Sequence, residues 1–429
     1  ILNLAGTANF TGMINVTVTG ANAAALHLSG GSVTLSSGFQ LSGNGAIGIL
    51  NDQSSTLNFS SGKIVVDING NGFNTGILQQ STVALTISGS AGIVVKSGGI
   101  GLHIDNNAVA VMTGGTISAA VNANGTGIVN DGTLTYSGGS ISKTAIGLQN
   151  NDTATISGGS ILANGNEAAV KNAGTLTVAG GIITASQTGA SGIWNTGAAS
   201  KLTLDNSTNP INGISGNSAA IRHSAGLLTL TAGTTFRDVS LKTGTGILND
   251  GNGSYALAGT LTGFKVALNN TSSTQLTLTT GSFTGNAIAV KNSGSLVIKG
   301  DAVTQTKYVM NGNDIALSNS GTAELTYVLM DGISATAPLH AIQQSGGTLT
   351  MNSSRIQNYN ASGDGGAIYL SGGTMNIYSS TINDNAKAIY VSGSTLNIVN
   401  STIAQNTGAY TIQSSGILSI VNGTLINNQ

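Results

Sequence analysis

A repeat of 20 to 28 residues, apolar–polar alternation inside each repeat, and corners of Asn, Asp and Gly predict an all-β chain. The architecture they point to is a right-handed parallel β-helix, a solenoid of roughly 17 coils. The phrase Thr126–Gly139, TGIVNDGTLTYSGG, holds the whole pattern. A small residue and an aliphatic (Gly127-Ile128) lead to Asn130-Asp131, and then Thr133-Leu134-Thr135-Tyr136 alternates up to Gly138-Gly139. Period-two alternation belongs to a strand with one buried face. Asn, Asp and Gly tolerate the tight backbone of a corner. The phrase therefore reads strand, corner, strand, corner.

Aligning the chain on the aliphatic gives Leu26, Ile49, Ile77, Leu102, Ile128, Leu148, Val170, Ile193, Ile221, Ile247, Leu268, Val290, Leu317, Ile342, Ile368 and Ile389, with Tyr410 as the last member. Most are preceded by a small residue, such as Gly127, Gly192, Ala169 or Ala341, which suits a crowded corner. No leucine-rich-repeat frame appears, propeller blades need about 40 residues per repeat, and Gly, Ser, Thr and Asn disfavour helix. A coil of about 24 residues cannot bury its aliphatics alone. Stacked at about 4.8 Å, each aliphatic covers its counterpart, and each strand's backbone groups pair with the next coil.

Composition narrows the function classes. The 429 residues carry 14 Lys plus Arg against 15 Asp plus Glu, a net charge of −1, so no global field attracts nucleic acid or an anionic membrane surface. No apolar run is long enough to cross a bilayer as a helix. Cysteine is absent, as suits a chain threaded unfolded through an oxidising compartment. One elongated domain over residues 1–429 is expected, with residues 1–24 as a first coil or cap in which Ile14, Val16 and Val18 alternate. The chain opens without a signal peptide and stops while still in repeat, so a C-terminal continuation is expected. The interval from Ile193 to Ile221 and the stretch Gly300–Pro338 interrupt the phrase, and Pro210 and Pro338 should lie in loops.

Two columns stand out. Two residues after the aliphatic comes Asn51, Asn130, Asn150, Asn172, Asn195, Asn249, Asn270, Asn292 and Asn319, a ladder of corner amides bonded from coil to coil. Between aliphatic and Asn lies an outward position. Successive coils place Lys171, Trp194 and Arg222 there, with Lys291 farther along, and Tyr369 and Tyr390 as a stacking pair. The tryptophan face would take the C–H surface of a sugar, and the cations its carboxylate or sulfate. A second row after the Gly-Gly corner collects Lys143, Arg237, Lys265, Lys307 and Arg355, with Asp205 and Asp238 nearby.

Catalytic patterns are sparse. Glycoside hydrolysis needs paired carboxylates, whereas Asp52, Asp131, Asp152 and Asp250 come singly in corners. The four histidines, His27, His103, His223 and His340, are scattered, and Gly363-Asp364-Gly365-Gly366 does not recur as a calcium repeat would. No catalytic residue, metal ligand or cofactor is expected, and the chain reads as no enzyme. A polysaccharide lyase or hydrolase is the alternative.

The T-[IL]-x-x-GG-x-[IL] and GI-x-N phrases, the missing cysteine and the open end together resemble the passenger domain of autotransporters, in particular the AIDA-type adhesins. The resemblance implies a β-helix displayed at the bacterial cell surface and followed by an outer-membrane barrel absent here, the only membrane link. It implies adhesion to host extracellular-matrix glycans of glycosaminoglycan type or to matrix glycoproteins. Self-association in aggregation and biofilm is the alternative. No family motif assigns site residues; those proposed as ligand-binding, Lys171, Trp194, Arg222, Arg237, Asp238, Lys265, Lys291 and Asp205, come from the columns.

Overall fold

A computed structural model describes residues 2–15, 23–42, 45–66, 73–96, 98–120, 125–238, 240, 242–335, 337–360 and 366–428. Val16, Val18 and most of the 363–366 phrase lie outside the described residues. Packing groups the chain into two compact units, Ile1–Asp205 with Gly213–Gly226, and Asn206–Asn212 with Leu227–Gln429. Among the described residues every element is a strand, and the strands stack in parallel as a β-solenoid.

In the first unit the expected aliphatics stack in register from Leu26 through Ile49, Ile77, Leu102, Ile128, Leu148, Val170 and Ile193 to Ile221. In the second they run from Ile247 through Leu268, Val290, Leu317, Ile342 and Ile368 to Ile389. All are buried. The last member is Ile412 rather than Tyr410, since Ile389 pairs with Ile412; the spacing drifts by two residues there, and Tyr410 precedes the strand Ile412–Ser414. The small residue before the aliphatic mostly lies within the strand, not at a corner; Ala367 and Ala388, just before their strands, are the exceptions. A Cβ on Gly147 would meet Ile161 Cγ2 at 2.2 Å, so that position is kept small by an aliphatic packed across the core.

A regular coil has three strands. Ala168–Asn172, Thr175–Val178 and Ile182–Ala185 make one in the first unit; Ile315–Asn319, Thr322–Thr326 and Val328–Asp331 make one in the second. Each strand lends an inward column. Leu134, Ala154, Leu176 and Leu202 stack on the second face of the first unit. Phe236, Leu261, Phe283, Met310, Met330, Ile356 and Ile382 stack on the third face of the second. The corner between second and third strands turns on one left-handed residue. That residue is Gly159 or Gly181 in the first unit and Gly233 or Gly281 in the second, but Tyr327, Ser353 and Ser379 in later coils of the second. Non-glycine residues persist there because the next coil holds their amides, Tyr327 N–H on Asn352 O at 3.2 Å and Ser353 N–H on Tyr378 O at 3.1 Å. Gly138-Gly139 is not a strand end: the strand Thr133–Ser142 runs through it, kinked where its register with Val109–Ala119 shifts.

The expected Asn ladder is present, and it is buried. Nδ2 of each member donates to Oδ1 of the next: Asn130 to Asn150 at 2.7 Å, Asn150 to Asn172 at 2.8 Å, Asn172 to Asn195 at 2.6 Å. In the second unit Asn249, Asn270, Asn292 and Asn319 repeat this and end on Gln344 Oε1. The polarity is uniform, so the first acceptor of each run, Asn130 Oδ1 and Asn249 Oδ1, has no donor. Gln79, His223 and Gln344 occupy the same column, unread in the sequence because their residue type differs. A second amide ladder, Asn385 to Asn406 to Asn428, and a serine ladder through Ser354, Ser380 and Ser401 line other corners of the second unit.

Pro210 and Pro338 both lie outside strands, as expected. The 206–212 loop turns on Asn206 Oδ1, which accepts the amides of Thr208 and Asn209, and returns through buried Ile211, bridged to Phe236.

Buried phenols give the core an alkaline limit. Burial pushes the Tyr136 hydroxyl up to about 12, and raises those of Tyr308 and Tyr359 as well. In the unfolded chain these groups ionise near 10. Above that pH the unfolded chain releases protons that the folded one retains, so stability, fully present below about 10, falls as pH rises. Tyr136 alone accounts for about 2 kcal/mol by pH about 12. Urea midpoints should therefore drop above pH about 10, and a flat midpoint would contradict the assignment.

Candidate ligand-binding flank

Parallel register decides which side chains meet. The strands Ala168–Asn172, Ser191–Asn195 and Ala219–His223 pair so that Lys171, Trp194 and Arg222 form one column, with buried Val170, Ile193 and Ile221 beside them pointing inward. Lys171 Nζ lies 5.0 Å from the indole centroid and the Arg222 guanidinium carbon 4.4 Å. Each such contact contributes about 0.5–1 kcal/mol where the pair stays partly hydrated. Trp194 Nε1–H donates to Ser224 Oγ at 2.8 Å, which fixes the ring plane. Lys171 also pairs with Glu167 at 2.8 Å, the two side chains being 32% and 49% exposed.

This geometry corrects the picture of a sugar stacked on the indole face. Coils about 4.8 Å apart leave no room between rings and their in-register neighbours. The cations of the preceding and following coils lie over the ring, and a ligand approaching from outside meets its edge and the rims of the cations. The Tyr369 and Tyr390 rings obey the same rule, with centroids 5.4 Å apart and planes at 3°. His340 and Tyr410 extend that stack on either side, at 5.2 and 6.4 Å. Burial holds the His340 imidazole below its usual range, although a bond to Gly366 O partly offsets this.

The outward column also carries contacts that single-residue reading missed. His27 Nε2 meets Asp52 at 3.4 Å, and His103 Nε2 meets Asp131 at 2.7 Å. Trp194–Ser224 follows the same diagonal: an outward residue bonds the residue after the ladder position one coil on. Asp52 and Asp131 are thus cross-coil partners rather than isolated corner acids. The signal was the shared offset between His and the following coil's Asn-Asp. Asp105, bonded by Gln80 Nε2 at 2.8 Å, is held below the usual carboxylate range chiefly by that bond. Among the described residues no three His, Cys, Asp or Glu converge as a metal site.

The second row does not form, because its members sit at different strand positions. Arg237 pairs with Thr262, in the column that runs on to Asp331 and Asn383. Arg355 pairs with Leu329 and Thr381, two positions upstream, and donates from Nε to Asn383 Oδ1 at 2.9 Å. Lys307 and Lys265 precede their strands, and Lys143 occupies a left-handed corner in the first unit. Asp238 caps a turn, its Oδ1 accepting the Ser240 amide at 2.8 Å and its Oδ2 the Gly244 amide at 3.0 Å. Asp205 is exposed at the end of the first unit's strand Lys201–Leu204, and Lys291 is exposed between Asn269 and Ser318.

No family model matches the chain, and no curated protein matches it. A solved structure it is similar to is that of a Yersinia enterocolitica family 28 exopolygalacturonase, at 9% identity and a TM-score of 0.24, covering 88% of this chain and 73% of that one. The expectation that the chain is no enzyme is corrected on this finding. A polysaccharide-cleaving enzyme stands among the structures it is similar to, and the exclusion of catalysis is withdrawn. So slight a likeness carries no argument for a reaction or a catalytic residue here. The fold class itself is one that glycan-binding proteins and glycoside hydrolases share.

Proposed function

We propose that the chain is the passenger domain of an AIDA-type autotransporter, similar to UpaB, displayed at the bacterial surface and binding anionic matrix glycans along its flank. The observation that carries this reading is the in-register Lys171–Trp194–Arg222 column, two cations held over one indole. Guanidinium and ammonium groups held against an aromatic pair with sulfate or carboxylate through charge-assisted hydrogen bonds. With a net charge of −1, affinity comes from these local pairs, adds along a repeating ligand, and weakens with salt.

Replacing Lys171, Trp194 and Arg222 together by Ala should lower binding to a heparin and chondroitin array by about 10-fold or more, since each charge-assisted contact contributes about 1.5–3 kcal/mol. Unaltered binding would remove the column from the function. Loss of binding with no dependence on salt would remove the ionic part of the reading.

A further inference from the structure

The second unit carries a stacked aromatic column that the proposed function does not use. Tyr369 lies in the strand Ile368–Tyr378 and Tyr390 in the strand Ile389–Val391, directly opposite each other in a parallel pairing. Their ring planes are parallel to within 3° and stacked, with centroids 5.4 Å apart, and both residues are half-buried. Buried Ile368 and Ile389 on one side, and buried Leu370 and Val391 on the other, hold the two backbones in place.

We propose that Tyr369 and Tyr390 are a site of oxidative cross-linking, joined as an intrachain dityrosine by a haem peroxidase with hydrogen peroxide. The chemistry balances as follows. Each phenol gives one electron and one proton to the oxidant, and one peroxide takes both pairs and becomes two waters. The two tyrosyl radicals share their unpaired electrons in a new bond between one Cε of each ring. Each coupled carbon then loses its hydrogen as a proton while the ring oxygen regains one, restoring both phenols. The chain loses two hydrogen atoms in all. The in-register pairing brings the two rings together on adjacent coils. Rotation about the Cβ–Cγ bonds, with a small approach of the edges, completes the contact.

Geometry, more than exposure, selects this pair. Tyr378 is 38% exposed, yet the residues opposite it on the neighbouring coils are Asn352 and Val399. Tyr390 and Tyr410 are neighbours too, but their rings are tilted by 48° at 6.4 Å.

The test treats the purified chain with horseradish peroxidase and hydrogen peroxide, then digests it with trypsin. Cleavage after Lys387, which lies between them, separates Tyr369 from Tyr390, and no Lys or Arg follows that residue. The expected product is a monomer lighter by two hydrogens, with dityrosine fluorescence, in which peptide 388–429 is joined to peptide 356–387 through Tyr390 and Tyr369. Tyr369→Phe and Tyr390→Phe should each abolish it, and Tyr378→Phe should leave it intact. A cross-link mapping to another pair, one found only between chains, or no dityrosine in the oxidised protein would overturn the proposal.

Discussion

Asn150→Asp is expected to destabilise the fold by about 3–5 kcal/mol at neutral pH, the cost of a buried charge without a partner, and by much less in acid. Asn150 Nδ2 faces three acceptors, Asp152 O at 3.0 Å, Asn172 Oδ1 at 2.8 Å and Thr175 O at 3.1 Å, while its Oδ1 receives Asn130 Nδ2. An aspartate keeps the accepting oxygen and turns the donor into a second acceptor. Burial and the facing oxygens together push its folded-state pKa above the unfolded value of about 4. A raised acid pKa means that the folded chain holds its proton longer. The variant is therefore most stable below the unfolded pKa and loses stability as pH rises toward the folded one. Urea unfolding from acid to neutral pH reads this directly, with wild type as reference. A midpoint that matches wild type at neutral pH would show that the amide ladder does not need its donors.

Phe283→Ala should cost about 3–5 kcal/mol in the second unit. Phe283 is wholly buried between Leu261 and Met310 in the third-face column, with the Tyr308 ring 6.4 Å away. The cavity cannot close, because Thr260 and Ser282 tie the flanking backbones together in register. In a stacked repeat each coil contacts only its neighbours, so the weakening should be local. Hydrogen exchange should quicken first in the strands Thr260–Thr262, Ser282–Thr284 and Tyr308–Asn311. A loss below about 1 kcal/mol would mean that the column collapses onto the gap.

Much of the stacking was legible before any coordinates. The aliphatic anchors, the Asn ladder and the adjacency of Lys171, Trp194 and Arg222 all follow from one alignment, because a parallel coil converts sequence period into contact. The row through Arg237, Lys265 and Arg355 failed for the same reason in reverse. Its members lie beyond corners and loops whose lengths differ, so a two-residue error in register moves a side chain to another column. Tyr410 was misplaced in this way. The serine ladder through Ser354, Ser380 and Ser401 was readable in the repeated Ser-Ser and Asn-Ser phrases before the third strand, but no apolar anchor drew attention to it.

By itself the sequence determined a stacked all-β chain, its inward aliphatics and its ladder of corner amides, because alternation and period are properties of the chain read in one dimension. Only the tertiary structure decided what covers each outward group. It placed cations over the Trp194 faces, paired His27 with Asp52 and His103 with Asp131, and set Tyr369 flat on Tyr390. The reason is distance: coils about 4.8 Å apart bring in-register side chains into van der Waals contact, and residues 20 to 28 positions apart in the chain become nearest neighbours.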